Sequence, residues 1–218
     1  MPILTDIQLD QAVQKLTEAG EKLYLLLEGA GSNAPARALL LADSNQQPFV
    51  PLYIDTDYQP VVEASPLLVL VKQDDAFLRW YVDQGPKARG IFIAARHNLE
   101  TVMQHLRGMI EVRLPDYNYV AFRYHDPTVL ERYVTAIDLE ARERFLGPLA
   151  LMAWPKQVSS KNEPDQWAWR ALLASEEIPD EDNPYLHPQP VIDITDEQLA
   201  AFAQDYYSEL AGRLHSVF

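Results

Sequence analysis

Three histidines near the middle of the chain, His97, His105 and His125, are the side chains best suited to acid–base or metal chemistry, and their spacing supports neither. None falls in an HExxH pattern or another metal-ligand spacing, so histidines on helix surfaces are the expectation. The string GAGSN at residues 29–33 has glycines but lacks the lysine and the spacing of a phosphate loop, and the chain has no GxSxG elbow. With no cysteine, disulfides, thiolate zinc sites and thiol nucleophiles are excluded. The residue types therefore argue against an enzyme and for a chain without cofactor or metal.

Recognition chemistry is better represented. Arg79 and Trp80 are neighbours on an expected helix and must point in different directions, Trp80 into the core and Arg79 toward a cap or an acid. Arg113 and Arg123 fall on adjacent expected strands, where they either face each other or a carboxylate such as Asp126, or present a planar fork to a carboxylate or carbonyl of a partner. Asp126 followed by Pro127 is a helix start, because the carboxylate accepts from free amides and proline at the first position forfeits no hydrogen bond. Trp167 and Trp169 lie two apart on an expected short helix, an arrangement that turns one of them outward as a binding anchor.

The 218 residues are 48% hydrophobic and 23% charged, the values of an ordinary globular protein. Apolar stretches such as 66–71 are far short of the roughly 20 residues a membrane span needs. The first ten residues, MPILTDIQLD, carry acids where a signal peptide would carry a basic region, so a cytoplasmic protein is expected. The net charge of −14 is unevenly spread: residues 87–144 hold 9 basic and 8 acidic side chains, and the segments on either side are strongly acidic. Such a balance excludes general binding to nucleic acid, which needs a basic surface.

The elements that must position these residues alternate between strand and helix signals through residue 154. Asp6–Gly20 reads as a helix, and Leu23–Leu27 as a strand buried on both faces. Residues 38–42, 49–54 and 61–71 read as strands or strand fragments. A helix over 76–84 stops at Gly85 and Pro86, and 91–94 is a strand. Asn98 caps a helix through Arg107. Residues 109–114 and 119–124 flank the PDYN turn of a hairpin. Helices over 127–134 and 139–146 follow, then a strand over 149–154. The pattern predicts an α/β fold, with an N-terminal mixed-sheet lobe and flanking helices over 1–154. Residues 155–218 are expected to form a linker and a small C-terminal helical lobe, whose last helix starts at Thr195 with a capping box completed by Gln198. A cleft between the two lobes, lined by Trp167 and Trp169, would grip a partner.

The segments SPLLVLV, LRWYVDQG, GIFIAAR and HLRGMIEVRLPDYNYVAFRYHDPTVLERYV resemble the type VI secretion effector chaperones, also called adaptors, over roughly residues 24–154. In this chain Glu28 stands where those proteins carry an aspartate, and YNY replaces the usual glycine turn after Pro115 and Asp116. The resemblance implies a cytoplasmic protein that binds one secreted toxic effector, usually through the effector's N-terminal region, and helps load it on the VgrG spike protein. Arg79, Arg113, Arg123, Trp167 and Trp169 are the candidate partner-binding residues, and Trp80, Asp126 and Pro127 the structural motif. A small α/β enzyme and a structural subunit of an assembly are the alternatives.

Overall fold

A computed structural model describes residues 2–30, 47–158, 166–174 and 192–200. A seven-stranded sheet runs through the molecule in the order β1-β9-β8-β5-β2-β4-β3. Its strands are β1 (Ile3–Ile7), β2 (Lys22–Leu27), β3 (Phe49–Pro51), β4 (Leu67–Val71), β5 (Gly90–Ala95), β8 (Leu149–Gln157) and β9 (Trp167–Leu173). All six neighbouring pairs are antiparallel. A second sheet, β10-β6-β7, joins β6 (Glu111–Arg113), β7 (Tyr119–Ala121) and β10 (Ile192–Asp193), with β10 parallel to β6. The helices are α1 (Leu9–Glu18), α2 (Ala76–Gln84), α3 (Leu99–Gly108), α4 (Pro127–Ala136) and α5 (Leu139–Leu146). The fold is α/β as expected, and the mixed pairing is confined to the small sheet.

The central strands are apolar from Leu23 to Leu27 and from Ile91 to Ala95 because both faces of the sheet are covered there. Successive side chains on a strand alternate between faces. Leu23, Leu25 and Leu27 of β2 therefore join Phe92 and Ala94 of β5 under α1 and α2. Tyr24 and Leu26 join Ile91, Ile93, Met152 and Trp154 under α3, α4, α5 and the small sheet. Glu131 on α4 fastens the second layer by a polar contact: it accepts from the indole Nε1 of buried Trp154 at 2.9 Å and pairs with Lys156 at 2.7 Å.

Several boundaries differ from the sequence reading. Residues 3–7 form β1 ahead of α1, so the first helix begins at Leu9 and not at Asp6. Val61 lies in a 3₁₀ segment, Gln59–Ala64, and only Leu67–Val71 of the expected 61–71 strand is extended. Residues 38–42 lie outside the described residues. Asp74 or Asp75 is expected from the sequence to cap α2; Asp75 precedes it, but its carboxylate accepts from the Lys72 amide at 2.7 Å and makes no cap bond to the helix.

The main correction concerns Gln166–Ala174, expected as a short helix and observed as strand β9. Its pattern W-A-W-R-A-L-L alternates, and it is hydrogen-bonded between β1 and β8. The expected lobe boundary after Trp154 falls inside β8, which continues to Gln157. At the far end, Thr195 and Gln198 make the reciprocal capping-box bonds at 2.9 and 3.2 Å, and a helix follows from Asp196.

Candidate functional site

Glu28 occupies the first position after β2, where the strand leaves the sheet. Its backbone amide bonds to the Arg89 carbonyl at 2.8 Å, and its carboxylate accepts from the Ala30 amide at 2.9 Å. On the other side Arg123 donates to Oε2 through Nη2. His125, two residues further on, places Nε2 3.6 Å from the same oxygen, beyond hydrogen-bond length. Both Glu28 (7% exposed) and His125 (4%) are buried. His125 acts on the carboxylate as a close dipole or, when protonated, as an ion-pair partner. With the Ala30 amide and Arg123, it holds the Glu28 carboxyl at about 2, against the burial that pushes it up.

These groups open on a cleft of about 330 Å³. Arg89 and Pro86 form one wall, Pro155 of β8 another, and the start of α4 a third, through Asp126, Pro127 and Thr128. The Asp126 carboxylate caps α4 by accepting from the amides of Thr128 at 2.8 Å and Val129 at 3.4 Å, with Pro127 at the first helical position. Arg89 adopts a left-handed backbone with φ of +52°. A positive φ in a non-glycine residue costs about 1 kcal/mol or more and clusters at sites where geometry is imposed.

The other sequence candidates are dispersed. Arg79 donates to the Asp74 carbonyl at 2.7 Å and so ties the entrance of α2. Trp80 packs half-buried on the core under α2, its ring 5.2 Å from that of Phe77. Arg113 does not face Arg123: it grips Asp193 through Nε at 2.6 Å and Nη2 at 2.9 Å, joining β6 to β10.

Trp167 and Trp169 are two apart on a strand, not a helix, and therefore share a face. The Trp169 ring packs tilted against that of buried Tyr81, centroids 5.5 Å apart. The Trp167 indole lies against Gly85, so close that a Cβ there would stand 2.4 Å from the ring. Both tryptophans are half-buried against the α2 end of the sheet, and neither stands on a separate lobe.

Two histidines expected on helix surfaces are interior. His105 on α3 is 5% exposed and donates from Nε2 to the Phe145 carbonyl at 2.9 Å; desolvation holds it at about 4, so it is neutral. His125 and Glu28 were not singled out as site residues by composition or spacing. The one sequence signal for Glu28 is its place after the apolar run of β2, at the position where the resembled family carries an acid.

A covered antiparallel sheet with an open polar cleft at one end defines an α/β fold; among the described residues no cluster of three or more histidine and carboxylate side chains could hold a metal ion. Residues 23–144 match the family described as a domain of unknown function, DUF4123, and the chain belongs to that family. No curated protein and no solved structure matches the chain. Among the described residues, no helix is long and apolar enough to cross a membrane.

Proposed function

We propose that this chain is a cytoplasmic type VI secretion effector chaperone, or adaptor, that binds a cognate toxic effector and helps load it on the VgrG spike protein. The observation that carries this reading is a coincidence of ranges. The motifs that resemble the adaptors span roughly 24–154, and the family match spans 23–144. Most of the cleft lies within that range, built from Glu28, Arg89, Arg123 and the start of α4. The buried carboxylate Glu28 is held ionised by its neighbours, so it does not fit a general acid, which needs its proton retained near neutral pH.

Tagged protein recovered from cells that make the secretion apparatus, followed by mass spectrometry of what remains bound, tests the proposal. One dominant effector, with or without the spike protein, is the expected result. A chain that elutes alone from such cells would overturn it.

A further inference from the structure

The cleft is unbalanced in what its groups have left to give. Glu28 is engaged on both oxygens, by the Ala30 amide and by Arg123, and Asp126 accepts through Oδ1 from the first amides of α4. Several donors are left over. Among the described residues the Arg89 guanidinium, on an exposed residue, makes no hydrogen bond or ion pair, although the strained backbone at φ +52° holds its side chain at the wall of the cleft. Arg123 uses one nitrogen on Glu28 and is 57% exposed, leaving the rest of its fork open. His125, buried to 4%, lines the cleft, and its Nε2 makes no hydrogen bond, standing 3.6 Å from Glu28 Oε2. A buried polar atom without a partner in a folded chain calls for one.

We propose that this cleft is a carboxylate-recognition site that takes an acidic side chain from an extended segment of the protein partner. The inference rests on the adaptor reading for the partner being a polypeptide, and on the cleft alone for the carboxylate. Two guanidiniums line the same opening, and each offers a carboxylate more than one donor in a planar fork. The volume of about 330 Å³ is at the small end of ligand sites, enough for one acidic side chain with its flanking backbone. The position also fits the charge map. Arg89 and Arg123 both come from residues 87–144, the one segment that is not acidic in a chain of net charge −14, so an acidic group meets a local opening in an otherwise repelling surface.

The test uses the full chain and three probes: the capped peptide Ac-Ala-Glu-Ala-NH2, its glutamine analogue, and free glutarate. Binding is followed by NMR at the His125 ring protons and the arginine Nε–H groups. The glutamate peptide should give saturable shifts at both. The glutamine peptide should bind at least about tenfold more weakly, because the charge-assisted hydrogen bonds are lost. Arg89→Gly removes the free guanidinium while relieving the positive φ, so it should fold with an unchanged or higher melting temperature and weaken the glutamate peptide by about tenfold.

Equal response to both peptides, no saturable response, or unaltered binding by Arg89→Gly would overturn the inference. Tighter binding of glutarate than of the peptide would also overturn it, since the site would then serve a free dicarboxylate. Effector capture from cells separates the two readings. Capture by wild type and Arg89→Gly alike leaves the adaptor standing and removes the cleft from it. No capture by a wild-type chain that still binds the glutamate peptide sinks the adaptor reading alone.

Discussion

Glu28 and His105 are both buried titratable groups, and the pH at which each matters follows from what surrounds it. The Glu28 carboxyl is depressed from 4.5 to about 2, so the native state favours its ionised form. The resulting stability is fully present above 4.5 and is lost as the pH falls through about 2. His105 is depressed from 6.5 to about 4 by burial, so the unfolded chain takes up the proton first. Stability therefore declines as the pH drops from 6.5 toward 4, by about 3 kcal/mol at the lower end. Denaturant melts across this range should show two successive losses, the upper one from His105. Glu28→Gln should cost about 2 kcal/mol at pH 7, because Arg123 loses its charged acceptor, and should flatten the lower loss. A variant whose acid profile matches the wild type below pH 4.5 would show that Glu28 does not set it.

At the scale of elements, the turn that ends α2 carries the most concentrated constraint. Gly85 has φ of +51° and ψ of −125°, a conformation side chains avoid, and the Trp167 ring fills the space where a Cβ would stand. Gly85→Ala must distort the turn or expel the indole, at about 2–4 kcal/mol. Tryptophan fluorescence should shift to the red as melting temperature falls; loss of stability without any spectral change would place the strain in the turn alone.

The same region shows what the sequence made legible. Helix ends were readable because capping is local: Asn98 to Thr101, Asp126 to Thr128 and Thr195 to Gln198 are within three residues of each other. Central strands were readable because burial on both faces leaves a continuous apolar run, as at 23–27 and 91–94. β9 was misassigned although Trp167, Trp169, Ala171 and Leu173 alternate, since Arg170 and the polar stretch before it masked a strand held between two neighbours. Its partners β1 and β8 supply the pairing, and that information is not in the segment itself. The site was hardest to read. The Arg123–Glu28 pair joins residues 95 apart, and no periodicity connects an acid after one strand to an arginine after another.

Among the described residues, the strand pairing most distant in sequence closes one edge of the large sheet. β1 pairs along five residues with β9, from Ile3 opposite Leu173 to Ile7 opposite Trp169, and Arg170 donates to Asp6 across the pair at 3.1 Å. Leu4 packs against one core layer and Ile7 against the other, so β1 joins both faces of the sheet. Contacts of such long separation are slow to form, since loop closure must precede the packing that stabilises it. A chain beginning at Gln8 should still form the central strands, because β2, β5 and β8 do not depend on β1 for pairing. It should lose about 2–3 kcal/mol from two half-buried aliphatic side chains and the ladder, a fall of roughly 5–10 °C in melting temperature. It should also expose the outer edge of β9, with Trp167 and Trp169 beside it, as a template for pairing with a second copy. Light scattering on a sizing column at two concentrations reads this out. Concentration-dependent association of the shortened chain, against a constant mass for the full one, is the expected result; unchanged mass and unchanged melting would mean that β1 is carried by the sheet without closing it.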